Sequence, residues 1–447
     1  MGRPSHSRSL SLWMNGERVG TWTLPTRGPM ELRYDADWIA SPAGRPLSLS
    51  LLYPADVSQP LRSAAVPHFF DNLLPDHAAI RRRIATRFRT GDVDAFSLLA
   101  AIGRDCVGAV QLLGEDESPA GPPGAVSGTP LSDDDIERHL LAVTSNVAFG
   151  ALHDEDDFRI SLAGAQEKHA FLRDGDAWLR PEGATPTTHI FKLPLGLIGA
   201  GKVDFTTSVD NEWLCLRLLR AYGLRTAQAE IARFGAQRVL VVERFDRLRD
   251  GEGRLWRLPQ EDFCQVYGVP SDRKYESHGG PGLRELFRVL ANSEQAERDR
   301  RELLAAQILF WMLRAPDGHA KNFSIFLRPG GTFRLTPLYD VMTALPAMGA
   351  GPNRFDAHKL TMAMALIGKN RHYDIGRIQR RHFSSTALAV GYADTAEPLV
   401  GELIARTPAV IDEVASDLPA GFSEAVATAV FEGLQAAANA LEAMPPA

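Results

Sequence analysis

The stretch Arg314–Asp340, RAPDGHAKNFSIFLRPGGTFRLTPLYD, constrains this chain more than any other. Pro316 and Gly318 interrupt the apolar run ending at Leu313, and NFSIFL and FRLTPLY flank the turn former PGG. The pattern predicts a loop, a strand, a turn and a second strand. Its 27 residues set an Asp, a His, a Lys, an Asn and a second Asp at the two ends, with apolar strand between them. Phosphoryl transfer calls for that set: Asp317 as base toward a substrate hydroxyl, Asn322 and Asp340 as oxygen ligands for Mg2+, Lys321 to offset developing phosphate charge. Asp317 and Asn322 stand five apart (322 minus 317), as do the Asp and Asn of the protein-kinase pattern H-R-D-x-x-x-x-N. Any one of these residues fits a polar turn before a buried hairpin; the five together predict a catalytic hairpin.

A length of 447 residues with 45% apolar side chains predicts two or three globular domains. The net charge of −6 excludes bulk basicity as a means of holding nucleic acid, so such a contact needs a local patch. Cys106, Cys215 and Cys264 are odd in number, widely spaced and set among apolar neighbours. They read as reduced, buried thiols rather than a disulfide framework or zinc site, which makes the cytoplasm the expected location. The first residues lack the unbroken apolar core of a signal peptide, and no apolar run reaches membrane length.

Residues 10–53 alternate around turn formers, with LSLWMN and VGTWTL joined at Asn15-Gly16, then LRYDADWIA and LSLSLLY, and predict a small sheet. Pro67–Arg89 has helical spacing broken at Pro75; Arg81, Arg82, Arg83 and Arg87 read as a solvated face or as a contact for acid groups. FSLLAAIGRDCVGAVQLL predicts a helix, a Gly turn and a strand, closing an N-terminal β-rich subdomain over 1–113. Residues 114–135, rich in Gly, Pro, Ser and acid, predict a linker. Over 136–258, strands FRISL, KHAFL, AWLRP, HIFKLP, AEIARF and RVLVVERFDR surround an amphipathic helix with Asp210 or Asn211 as N-cap candidates, the order of a kinase-like ATP-binding lobe. From 259 to 447 helices dominate, starting with EDFCQVYG, and carry the catalytic hairpin. The expected fold class is α+β, a β-rich subdomain followed by a bilobal protein-kinase-like fold.

The turn after Ser161, with Ala163, Gly164 and Ala165, is neither a Walker A loop nor a triple-Gly kinase loop. It reads as an ordinary hairpin turn or as a cradle whose amides approach phosphate, with Lys168 as cation. Lys192 in the apolar strand HIFKLP either faces outward or holds phosphates and pairs with a Glu on the next helix, Glu212. Glu243, Arg244 and Phe245 sit where an inter-lobe connector would offer backbone to an adenine edge. His319 has no partner at metal-ligand spacing and reads as a brace for its loop. The run Gly368–Phe383 gathers Lys369, Arg371, Arg377, Arg380 and Arg381, which fits a solvated surface or a phosphate-backbone contact.

The blocks WMNGERVG, FFDNLLPD, IGRDCVGAVQL, FRISLAGAQEK, THIFKLP, SVDNEWLCL, VERFDR, RLPQEDFCQ, KYESHGGPG, DGHAKNFSIF and RLTPLYD, in this order, resemble the HipA toxin kinases of bacterial toxin–antitoxin systems over nearly the full length. The resemblance implies a serine/threonine kinase that uses ATP and Mg2+ between its lobes, a HipB-like helix-turn-helix antitoxin partner, and joint binding to operator DNA. It implies glutamyl-tRNA synthetase as protein substrate, with stalled translation and dormancy as the outcome. By the same route Asp317 is the base, and Asn322 and Asp340 are the metal ligands. The nucleotide contacts are Ala163, Gly164, Ala165, Gln166, Glu167, Lys168 and Lys192, with Glu243, Arg244 and Phe245 on the connector and His319, Ala320, Lys321, Asn322, Tyr339 and Asp340 on the hairpin. Ser161 is the autophosphorylated serine, and Arg377, Arg380 and Arg381 are the DNA contacts. The family often has a Thr where this chain has Ala315-Pro316, and the basic run differs in spacing. Two alternatives are a small-molecule phosphotransferase and an inactive corepressor scaffold.

Overall fold

The structure, a computed structural model, describes residues 7–144, 161–163, 166, 168–198 and 203–447. Strands Arg8–Met14 and Glu17–Leu24 form the hairpin signalled by Asn15-Gly16, both of which take the positive φ (48° and 89°) that such a turn requires. Glu31–Tyr34 and Gln111–Gly114 flank them in a four-stranded antiparallel sheet. Helices Ala65–Asp71 and Ala95–Ile102 close its buried face, where Trp22 stacks on Phe70 with ring centroids 3.9 Å apart. LSLSLLY alternates like a strand but forms bends and turns. Ser48, Leu49 and Ser50 turn their polar groups to Glu261 and Gln265 across the domain junction instead of to a neighbouring strand.

The second unit centres on a six-stranded sheet in the order Ala229–Phe234, Gln237–Glu243, His189–Lys192, Lys168–Asp174, Ala177–Pro181, Gly128–Pro130. The last strand comes from the expected linker; a Pro-containing segment is tolerated there because it is an edge. The FRISL segment falls partly outside the described residues, and its Ser161-Leu162 end is not strand. Helix Ser208–Ala221 packs behind this sheet and begins before its expected caps: Asp210 instead receives Arg238. Only half of EDFCQVYG is helix. Gln260–Asp262 pairs with Ser324–Leu327, which pairs with Phe333–Leu335, leaving only Phe263–Val266 helical, under a capping box from Asp262 to Gln265.

The largest apolar core fills the helical lobe around the buried helix Ala296–Met312. The C-terminal region adds helices Arg380–Ala389, Glu397–Ser416 and Glu424–Ala443, and also a hairpin, Thr361–Ile367 with Arg371–Asp374. Among the described residues, no helix is long and apolar enough to cross a membrane.

Candidate active site

A cleft of about 750 Å³, within the usual range for small-molecule sites, lies where the sheet, the catalytic hairpin and the N-terminal unit meet. Apolar Leu162, Ile190, Leu193 and Val242 face a polar end formed by Lys168, Lys192, Glu212, Asp317, Asn322 and Asp340. Asn72, Asp76, His77, Ile80 and Arg83 contribute a wall from the N-terminal unit.

Lys192 faces inward. Its Nζ lies 2.7 Å from both Glu212 Oε1 and Asp340 Oδ1. Burial alone would push the lysine's pKa down, but the two carboxylates outweigh it and raise it above the ordinary value. Burial would likewise raise Asp340, yet the ammonium of Lys192, with Lys168 beyond it, holds that carboxyl well below the usual carboxylate range. Lys168 is pushed down to about 8, first by burial and then by Lys192. Glu212 is placed by the residue before it: Asn211 donates to Thr343 O (2.7 Å) and accepts from Thr343 N (2.8 Å), which fastens the helix to the segment just past Asp340.

On the catalytic loop, Asn322 Nδ2 donates to Asp317 O (2.8 Å) and Asp340 O (3.4 Å), drawing together the ends of the hairpin. Asp340 takes positive φ (57°), a sparsely populated conformation for a non-Gly residue, which this clasp and the Lys192 pair hold in place. Gly318 is required where it stands, because a Cβ there would meet the Phe310 ring at 2.6 Å. The Asn322 amide nitrogen is committed, which leaves its Oδ1, with Asp340, as the hard oxygen pair able to ligate Mg2+. The two cleft lysines suit phosphates. Asp317 is half exposed at the mouth, as a base toward an incoming hydroxyl must be.

Several expected site residues serve other ends. Lys321 Nζ is committed to Asn72 O (3.1 Å), Asn72 Oδ1 (2.8 Å) and Asp262 Oδ2 (2.9 Å), so it pins the loop rather than offsetting phosphate charge. Ala320 is fully buried below the cleft, its amide donating to Lys274 O. Arg244 sends its guanidinium to Asp105, Asp246 and Cys106 O at the domain junction. Glu243, Arg244 and Phe245 all line the cleft; the amides of Glu243 and Arg244 donate to Gln228 O and Thr188 O, and the Phe245 ring packs near Tyr339. His319 is buried against Tyr275, with its pKa lowered by burial. Ala163 and Gln166 line the cleft; Gly164, Ala165 and Glu167 lie outside the described residues. Ser161 is buried beside the cleft, its Oγ donating to Leu73 O (2.7 Å) and its amide to Asp105 O (3.1 Å). Of the basic run, Arg380 is tied to Glu397 at 2.7 Å; Arg377 is exposed beside Asp374, and Arg381 is exposed. Sequence reasoning gave no role to Asn72, Asp76, Asp262, Lys274 or Tyr275, although FFDNLLPD and KYESHGGPG carry most of them.

Two lobes, a sheet lysine paired with a helix glutamate, and an Asp–Asn–Asp hairpin define a kinase-like phosphotransferase. Residues 160–412 match the family model described as HipA-like C-terminal domain, and residues 10–113 match the HipA N-terminal domain. The chain is 36% identical over 344 residues to the "Putative kinase Y4mE" of Sinorhizobium fredii, covering 76% of this chain and 78% of that protein. It is 28% identical over 331 residues to the serine/threonine-protein kinase toxin HipA of Shewanella oneidensis, covering 71% of each. Its fold matches a chain of the solved Shewanella oneidensis complex of HipA, HipB and operator DNA, with a TM-score of 0.76, 24% identity and 96% of both chains covered. The chain belongs to the HipA family and is a HipA-family kinase.

Proposed function

We propose that the protein transfers the γ-phosphate of ATP, with Mg2+, to serine or threonine hydroxyls of a cytoplasmic protein, as a toxin kinase restrained by a HipB-like antitoxin. The observation that carries this reading is Lys192 bridging Glu212 and Asp340 at 2.7 Å each, at the same end of the cleft as Asp317 and Asn322, whose amide reaches Asp317 O and Asp340 O. Lys168 and Lys192 hold phosphate oxygens, Asn322 Oδ1 and Asp340 hold the metal, and the adenine lies between Ile190, Val242 and Phe245. The metal, when bound, offsets charge on the transferred group. Asp317 takes the proton of the acceptor hydroxyl as that oxygen bonds to phosphorus and ADP leaves. Glutamyl-tRNA synthetase is the protein substrate that the family resemblance implies.

Ser161 serves as an autophosphorylation site within the same reading. A phosphate of about −1.5 to −2 charge has no place in its buried seat against the Leu73 carbonyl. The modified segment leaves, taking with it the wall formed by Leu162 and Ala163. Operator DNA is bound jointly with the antitoxin, with Arg377 and Arg381 as the exposed members of the trio Arg377, Arg380 and Arg381.

The test is ATP-dependent phosphorylation of a bacterial cytosolic extract by wild type and Asp317→Asn, with modified proteins identified by mass. A labelled protein that appears with wild type and falls about 10²-fold or more with Asp317→Asn is expected. Equal labelling by both refutes Asp317 as base.

A further inference from the structure

The block KYESHGGPG has no part in the reaction just described, yet it lies against the catalytic loop. Tyr275 Oη donates to Asp317 Oδ1 at 2.5 Å. His319 Nε2 stands 3.9 Å from the same oxygen, beyond hydrogen-bonding reach. Tyr275 itself does not line the cleft. Its ring is held edge-on to His319, centroids 4.9 Å apart and planes at 87°.

The residue before it is anchored on both sides. Lys274 O accepts the Ala320 amide at 3.2 Å, tying it to the catalytic loop. Lys274 Nζ meets Asp76 Oδ2 of the N-terminal unit at 2.9 Å, both side chains being mostly buried, and lies 5.7 Å from the Tyr275 ring centroid. Opposite charges in such a shielded place hold each other more firmly than on an open surface.

Asp317 needs such a support. Its side chain is 53% exposed, and the terminal torsion of a carboxylate is broad, so without a fixed donor its two oxygens exchange places freely. A hydrogen bond to an ionised oxygen is among the stronger ones. We propose that Tyr275 is a positioning residue for Asp317: the phenol occupies Oδ1 and turns Oδ2 to the acceptor hydroxyl, while Asp76, through Lys274, keeps the phenol in place. The N-terminal unit thereby takes part in setting the geometry of the base. This rests on the reading of Asp317 as base.

The experiment is single-turnover consumption of γ-labelled ATP, counting label released as phosphate together with label bound to protein. It is run on the full chain as wild type, Tyr275→Phe, Asp317→Asn and the double variant, with ATP affinity measured on each. Tyr275→Phe is expected to lower the rate constant about tenfold, with ATP affinity unchanged within twofold, since Tyr275 does not itself line the cleft and meets there only Asp317, the group read as base toward the acceptor. On the Asp317→Asn background it should have no further effect, because its action runs through the carboxylate. The same fractional loss on both backgrounds means a merely structural role and overturns the proposal. So does an unchanged rate, or a raised one, which would make the phenol a competitor of the acceptor. Should Tyr275→Phe not fold, Lys274→Gln keeps the phenol and frees Asp76; it is expected to lose activity on the wild-type background and none on Asp317→Asn, with the opposite result overturning the proposal. An Asp317→Asn protein as fast as wild type refutes the base itself, whatever Tyr275→Phe does.

Discussion

Replacing Asp105 by Ala should destabilise the protein by about 3–5 kcal/mol, the range for removing one partner from a buried ionic network. Asp105 is 5% exposed. It receives Arg244 at 3.2 Å, Arg247 at 2.8 Å and Arg257 at 3.1 Å, together with the Thr187 amide at 3.1 Å and hydroxyl at 2.7 Å. All three guanidinium groups are buried, and without Asp105 they share the single remaining carboxylate of Asp246, which pairs with only two of them. The loss comes from stranding these cations and the Thr187 donors, not from the worth of one pair. The assay is urea titration followed by fluorescence and circular dichroism; in a chain of several units the first transition is the one to compare. Burial raises the pKa of Asp105, but the three arginines outweigh it and leave the carboxyl below the ordinary range. Its contribution is therefore fully present above the unfolded value of about 3.9 and is lost as pH falls through the folded one. The gap between wild type and Asp105→Ala should thus be constant from pH 5 to 8 and shrink only in acid. A gap under about 1 kcal/mol at pH 7 would mean that water reaches the arginines, and would refute the network as a buried clasp.

Asp340→Ala should weaken ATP binding in the presence of Mg2+ more than in its absence, because the carboxylate acts through the ion; equal loss in both, measured by calorimetry, would leave it only its pairing with Lys192. Glu261 is buried against Ser48 and the Leu49 amide (2.9 Å), and burial pushes its carboxyl up to about 8. Its contribution is full below the unfolded value of about 4.3 and is lost as pH rises toward 8, so Glu261→Gln should flatten the fall in stability between pH 5 and 8; urea midpoints that fall as steeply as in wild type would refute a neutral Glu261.

Elements written in local signals were legible. The hairpins at Asn15-Gly16 and at PGG, and the break at Pro75 between helices Ala65–Asp71 and Ala78–Phe88, need only turn chemistry and periodicity. What was not legible depended on partners far along the chain. LSLSLLY has strand alternation, but Ser48 and Leu49 reach Glu261 more than 200 positions away, and a hydroxyl that bonds across a junction looks in sequence like one facing solvent. The composition of residues 114–135 predicts a linker because nothing local shows that Ala177–Pro181 offers an edge for Gly128–Pro130 to join.

The site divides in the same way, and its two buried lysines show why. The structure buries both Lys192 and Lys321, where each must meet an anion or oxygen, and the sequence does not say which. Lys192 meets Glu212 and Asp340 and stays beside the cleft; Lys321 meets Asp262 and both oxygens of Asn72, and its charge is used up below the loop. The deciding group is Asn72, 249 positions from Lys321 and in the N-terminal unit. Asp76, four residues on, holds Lys274 in turn, and Lys274 O holds Ala320. Both anchors of the catalytic loop thus come from a helical segment of the N-terminal unit, which the sequence presents as a separate subdomain and which has its own apolar core. Residue types at fixed spacing point to a chemistry because catalysis demands particular groups close together. The scaffold that orients them demands only a donor or acceptor at the right point in space, which distant parts of the chain supply equally well.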